Sequence, residues 1–466
     1  MSQNRWFNAP GRNAAVLLSL SVFIFLVAVM VTASPYPDDQ DGVNFLFGIE
    51  RYDIAFHRPH FPGYPVYIAI GKLLALLASS PEWALITLSA LSGAGCGILL
   101  FLMARKQAGD VGALALSLLL LANPFFFEFS HKIYSEVTGL FFLLAAFTVL
   151  DKSGSSNFNR FLFAGVLIAL AMGVRLSWWP YVVCYLFYSF FSGAFFISLA
   201  GLAVGTAIWF VPQALYVGPG ELIKTGIAFT SGHFETWGGA MGASNSANSR
   251  MISFATRFYE ILWLPEWNPA FLKIPWVLVS VFGLAFFAVK KVAISKSAWL
   301  FVVASMFYFL WVFFGQNLEK TRHFIPFIPA LLLCLIPLAK AYPKVILASA
   351  FALSLTIPYT YWNRVYAAAP VVRLNTWLND VAEPEAVLYC GQTERFFDRY
   401  RAGIIVRNVE SASVLQKSIN EEFNKPALPL VCDDIPNLKT TKAPIITFET
   451  RSGDPVDKPL RVYNLN

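Results

Sequence analysis

Uninterrupted apolar runs constrain this chain more tightly than any motif in it. Residues 14–33 carry no charged side chain over about 20 positions, and a helix rising about 1.5 Å per residue crosses about 30 Å of hydrocarbon in that length. Lipid offers no partners for free amides and carbonyls, so such runs predict helices that satisfy their own backbone. Charged residues make up only 14% of the 466, about half the fraction of a soluble domain. The 44 phenylalanines and 13 tryptophans suit lipid-facing helices with aromatic belts. The expected fold class is therefore an α-helical polytopic membrane protein. A net charge of +7 invites a nucleic-acid reading, but no cluster of five or six basic residues exists and no nucleic-acid partner is expected.

Orientation follows from where the basic residues fall. Residues 1–12 are polar, with Arg5 and Arg12, and the run 14–33 is too long for a signal-peptide core, so it reads as a retained first span with a cytoplasmic N-terminus. The stretch Gly63–Ala78 has Lys72 in its middle, and a central charge costs roughly 2.5–3.5 kcal/mol on insertion scales. If this stretch lies at the interface instead of crossing, spans follow at roughly 83–103, 110–123, 134–150, 161–177, 178–192, 194–216, 275–289, 298–315, 323–339 and 343–361. The connections holding Arg105 and Lys106, Lys152 and Arg160, Lys290, Lys291 and Lys296, and Lys340 and Lys344 then all face the cytoplasm. Crossing would move every one of them outside. The expectation is about 11 transmembrane helices in the cell inner (plasma) membrane, with an interfacial helix at 63–78 and an extracytoplasmic C-terminus.

Two long outer loops result, 34–82 and 217–274, the second rich in Gly, Ser and Asn over Ser231–Arg250 and suited to a mobile flap. The pairs Gly93/Gly97 and Gly201/Gly205 permit close helix approach. Residues 1–362 form the membrane domain. Over 363–466, strand-like runs at 386–390, 403–406, 428–432 and 444–448 alternate with helical patterns at 371–381, 394–400 and 411–423, which predicts a small C-terminal α/β domain with a mostly parallel sheet. Cys390 and Cys432 fall at corresponding ends of two of those strands; outside the membrane they could form a disulfide, or remain two buried thiols. Cys96, Cys184 and Cys334 lie in apolar runs as packing residues, and no CxxC or HExxH motif suggests structural zinc or zincin chemistry.

The chemistry concentrates just after the first span, where Asp38, Asp39 and Asp41 fall within four positions. One aspartate is enough to cap the helix expected at 42–51. Three like charges this close need a further reason, and a general base set against an acceptor hydroxyl supplies one. The spacing is not that of an EF-hand calcium loop. His57, Arg58 and His60 follow in a stiff turn ending Pro62-Gly63-Tyr64-Pro65 and could bind an anionic group or a metal. Arg175, near the outer end of its span, could contact substrate or snorkel to headgroups, and Glu136 and His131 could line the same cleft.

The Asp41-Gly42-Val43-Asn44-Phe45 loop after one span, followed by His60 to Pro65, resembles the GT-C superfamily of membrane glycosyltransferases, most closely its protein O-mannosyltransferase-like branch. The similarity covers about residues 14–365 and is specific mainly at 38–67. It implies a polyprenyl-phosphate sugar donor and inverting transfer, on the outer face, to a hydroxyl of a lipid, glycan or protein acceptor. Tyr134-Ser135-Glu136 is similar to the family's second acidic position, while Arg322-His323 with Pro326 and Pro329 resembles the basic residue and proline-rich helix placed near the lipid phosphate. Asn44 stands where many members carry a second acid, and Phe61 where they carry proline. Asp41 aligns best with the family's base, and the pair Asp38-Asp39 is the alternative. No cofactor is certain; a divalent metal bridging acids and phosphate occurs in part of the superfamily. Two other readings stand beside this one. A secondary transporter would ordinarily show repeated halves around a charged midplane site, and no repeat is visible. A sugar-polymer ligase, or a membrane protein that only binds, would not need the aspartate cluster.

Overall fold

The computed structural model describes residues 11–151, 157–235, 239–241, 247–263, 270–289, 294–358, 369–381, 387–391, 393–400, 405–409, 411–415, 429–435, 438, 443–449 and 460–464. Most of the helix expected at 411–423, part of the glycine-rich stretch 231–250, and the boundary at 362–363 lie outside the described residues.

Helix α1 (Arg12–Thr32) is followed by α2 (Gln40–Glu50), α3 (Pro65–Ala75) and a 41-residue element, α4 (Pro81–Leu121). The last is two helices joined at Gly109, whose φ of 73° lies in the left-handed region that glycine adopts without a steric penalty. That joint falls between the runs 83–103 and 110–123. Beyond it come α5 (Pro124–Ser130), α6 (Glu136–Leu150), α7 (Asn157–Val174), α8 (Trp179–Phe191), α9 (Phe195–Val217), α10 (Pro219–Glu235), α11 (Ala247–Trp263), α12 (Ala270–Val289) and α13 (Lys296–Gly315). The run expected as one span at 323–339 is two short helices, α14 (Phe327–Cys334) and α15 (Ile336–Ala341), the second starting with Pro337 in its first turn. Helix α16 is Pro343–Ser354. Among the described residues, five helices are long and apolar enough to cross a bilayer (α1, α4, α7, α9 and α13), and shorter apolar helical stretches lie at 136–150, 274–288, 321–334 and 343–358. With 11 residues, α3 is about 16 Å long, roughly half the hydrocarbon thickness.

Small residues set the tightest contact. At Gly205 a β-carbon would sit 2.7 Å from the Val166 carbonyl oxygen, and Gly165 would meet the Leu202 amide at 2.9 Å, so α7 and α9 touch backbone to backbone. The C-terminal region adds α17 (Pro370–Val381), α18 (Glu394–Tyr400) and five strands: β1 (Val387–Cys390), β2 (Ile405–Asn408), β3 (Pro429–Cys432), β4 (Ile446–Phe448) and β5 (Leu460–Asn464). The sheet order is β2-β1-β3-β5-β4, with β1 parallel to β2 and β3, and β5 antiparallel to its neighbours. Strand β5 was not expected; Leu460 and Val462 point inward on either side of exposed Arg461. Cys390 and Cys432, the candidate disulfide pair, lie buried on the neighbouring strands β1 and β3. Val43 and Phe47 of α2 pack into the apolar core of this region. The helix after the aspartates is thus shared between the two parts of the chain.

Candidate active site

Each of the three aspartates has different work. Asp39 caps α2, its Oδ1 accepting the Gly42 amide at 2.9 Å. Asp38 is buried against Lys132, whose ammonium lies 3.1 Å from it and 3.0 Å from Glu128; a lysine this deep is tolerated because carboxylates pair with it. Asp41, in the first turn of α2, faces an open cavity.

Arg322 organises the site. Its Nη1 donates to Asp39 Oδ2 at 2.8 Å, its Nη2 donates to Asp41 Oδ2, and its Nε lies 3.1 Å from Glu136 Oε1. The guanidinium also stacks 4.7 Å over the Tyr134 ring. Lys320, in the same connection, reaches Asp41 Oδ2 at 3.1 Å. Arg175 donates to Glu136 Oε1 at 2.8 Å, to Ser177 Oγ at 2.9 Å and to His323 Nδ1 at 3.1 Å. That last bond fixes the His323 tautomer, because the Nδ1 that accepts it carries no proton. His60 places Nε2 2.9 Å from the Tyr64 hydroxyl and Nδ1 3.7 Å from Asp41.

The electrostatics follow from this crowding. Burial alone would raise the Asp41 carboxyl, but Lys320 and Arg322 hold it well below the usual carboxylate range. Burial pushes the His60 imidazole down to about 4, with Asp41 opposing and Lys320, Arg175 and Arg322 reinforcing. His60 is therefore neutral at neutral pH, an acceptor or donor but not a counter-ion. Arg175, Lys320 and Arg322 balance Asp39, Asp41 and Glu136, so an arriving anion must displace a carboxylate from a cation already in use.

Asp38, Asp39, Asp41, His57, His60, Arg175, Arg322 and His323 line one cavity of about 1240 Å³. Two of the expected residues do not line it: Glu136 is buried behind the two guanidiniums that share it, and His131 sits beside Glu128. Arg175, Lys320 and Arg322 share the cavity's lining with the aromatic side chains Phe61, Trp179, Phe229, Phe234 and Trp311, and Thr393, Phe396, Asp433 and Asp434 of the C-terminal sheet region line it as well. Lys320 and Lys132 escaped the sequence reading, although Lys320 stands two positions before Arg322. Among the described residues, no group of three or more His, Cys, Asp or Glu is arranged to hold a metal ion. Asp38, Asp39 and Asp41 are already committed to Lys132, Lys320 and Arg322, and so paired these three do not fit a divalent metal.

Comparison with known proteins gives three likenesses. Residues 58–216 match the dolichyl-phosphate-mannose-protein mannosyltransferase family, the stretch running from the proline turn through α9. ArnT from Cupriavidus metallidurans bound to undecaprenyl phosphate superposes with a TM-score of 0.59 at 12% identity, over 96% of this chain and 97% of that one. The same protein in its apo state gives 0.58 at 13%, over 97% and 98%. The Archaeoglobus fulgidus oligosaccharyltransferase in complex with Zn and sulfate gives 0.51 at 13%, over 88% of this chain and 67% of that one. At these identities the structural likeness is one of fold. No curated protein sequence matches.

Proposed function

We propose that the chain is a GT-C glycosyltransferase that moves a sugar from a polyprenyl-phosphate donor to an acceptor hydroxyl, with inversion; the match of residues 58–216 to the dolichyl-phosphate-mannose-protein mannosyltransferase family and the likeness of fold to ArnT support this. One observation carries this reading: a carboxylate, Asp41, faces a buried guanidinium fork inside a cavity that is also lined by aromatic side chains. A phosphate suits the fork because two parallel N–H···O bonds form at once. The prenyl chain suits the aromatic lining, and ArnT, which is similar in fold, is seen bound to undecaprenyl phosphate.

In this reaction Asp41 takes the acceptor proton as the acceptor oxygen attacks the anomeric carbon from the face opposite the phosphate. The bond from that carbon to the phosphate oxygen breaks, its electron pair stays with the phosphate, and the configuration inverts. The state between is oxocarbenium-like, as in glycoside hydrolysis, and Arg322 with Arg175 stabilises the charge growing on the leaving phosphate. Donor binding also prepares the base. When the phosphate takes Arg322, Asp41 loses a cation that held its carboxyl low and becomes a stronger base only with donor seated.

The reading places this chemistry on the outer face of the plasma membrane, with the N-terminus cytoplasmic and the C-terminal domain over the cavity. Supporting that orientation, Gly11, Arg105, Lys106, Asp110 and Asp151 gather by hydrogen bonds and ion pairs at the start of α1, and the aspartates follow its other end. The test is purified protein offered a panel of polyprenyl-phosphate sugars, mannosyl first on the family's name, with released lipid phosphate as readout. Release from one donor class supports the reading. Protein that binds polyprenyl phosphate yet releases none from any donor contradicts it.

A further inference from the structure

The helix that carries Asp41 is gripped from outside the membrane domain. Arg399 of α18 donates through Nε and Nη2 to Glu82 Oε1 at 3.0 and 2.8 Å, and through Nη1 to Glu50. Tyr400 adds a bond to the same Glu82 oxygen at 2.9 Å. Glu50 is the last residue of α2 and Glu82 lies in the first turn of α4, so one guanidinium ties both helices to the C-terminal domain. A turn earlier, Arg395 Nε donates to Asn44 Oδ1 at 3.2 Å, and its Nη2 donates to the Phe56 and His57 carbonyls at 2.7 and 3.2 Å. The same guanidinium covers the Phe47 ring at 5.3 Å while Arg58 covers it at 5.0 Å.

We infer that α18 is a positioning element for the Asp41 helix, acting through Arg399 and Arg395. This rests on the glycosyltransferase reading and deepens it. Helix α2 is only 11 residues long, and helices this short are marginal alone. Its N-terminal carboxylates are bound to Arg322, which the donor must take over. At that moment the grip of α18 on the middle and far end of α2 is what keeps Asp41 aimed. Asn44 has a role here: its amide oxygen receives Arg395. A residue acting through α2 affects alignment more than donor binding, because the phosphate contacts belong to Arg322 and Arg175.

The experiment compares full-length parent, Arg399→Ala, Arg399→Lys and Glu82→Gln in two measurements. In the first, Arg399→Ala lowers kcat about tenfold or more while KM for the donor stays within about twofold. Arg399→Lys recovers part of that loss, and adding Glu82→Gln to Arg399→Ala makes it no worse, because the two act as one unit. In the second, hydrogen exchange of the amides at 42–50 quickens in Arg399→Ala while α7 is unchanged. Glu82→Gln keeps the side chain's shape and stands in where Arg399→Ala fails to fold. A kcat within twofold of parent, or exchange at 42–50 that does not move, overturns the inference. A parent that transfers no sugar sinks the functional reading alone, and the exchange measurement still decides the grip.

Discussion

Asp38 and Asp41 share one chemistry and one short loop, yet their surroundings assign them opposite fates. Asp38→Asn leaves Lys132 buried with one fewer carboxylate, and breaking such a pair typically costs about 3–5 kcal/mol. The expected outcome is a clearly lower melting temperature for Asp38→Asn than for Asp41→Asn, read by thermal unfolding in detergent. Arg322→Lys keeps the charge but loses the fork, and transfer should fall about 10²-fold, the usual scale for one electrostatic donor; an unchanged rate would remove the phosphate from this residue. His60 sets a pH dependence of stability. Its folded value of about 4 lies below the ordinary 6.5, so between them the unfolded chain holds the proton and the folded chain does not. Stability is therefore lost as pH falls through that window, by up to about 3 kcal/mol. Asp41 adds a loss in the same direction below the ordinary carboxylate value. Melting measured at pH 7 and pH 4.5 should fall less in His60→Gln than in parent, and equal falls would refute this. At this scale the sequence reveals which residues are unusual, since charges beside a span demand a reason. It hides their partners: Arg322 lies 281 positions from Asp41, and Arg395 lies 351 from Asn44. No spacing rule connects them.

Elements were more legible where one residue type decides the geometry. Lys72 in a short apolar stretch predicts a short helix, and α3, 11 residues long, occupies that stretch. Gly109 lies in the basic connection expected between two spans and is the joint within α4. The break between α14 and α15 was not anticipated, although Pro337 marks it. Strand β5 was missed because its charged Arg461 interrupts a five-residue apolar pattern that only pairing with β3 and β4 makes a strand. The glycine pattern at 201 and 205 is a physical contact, and it is testable. Gly205→Val would drive its side chain into the Val166 carbonyl, 2.7 Å from the β-carbon position, and should destabilise the protein by about 1–3 kcal/mol. A melting temperature equal to parent would show that α7 and α9 separate freely.

For the whole molecule, apolar length and composition were sufficient to expect a helical membrane domain with a small α/β domain at its end. The cavity was not readable, because it is assembled from the aspartate loop, α10, the connection before α14 and the C-terminal sheet. The orientation is a whole-molecule prediction. Lys106, 52% exposed at the end opposite the aspartates, should become reactive as Lys106→Cys only after the membrane is opened. Labelling of that cysteine by an impermeant reagent on intact cells would invert the topology and put the cavity on the cytoplasmic side.

In the proposed reaction, transfer depends on Asp41 acting as the base beside a donor held by Arg322. The most direct test is release of polyprenyl phosphate from the donor, in parent and Asp41→Asn, with donor binding measured on the same preparations. Asp41→Asn should bind donor as tightly as parent or tighter, since its amide no longer competes for Arg322, while release drops by about 10²-fold or more. Release at the parent rate from folded, donor-bound Asp41→Asn would contradict the account.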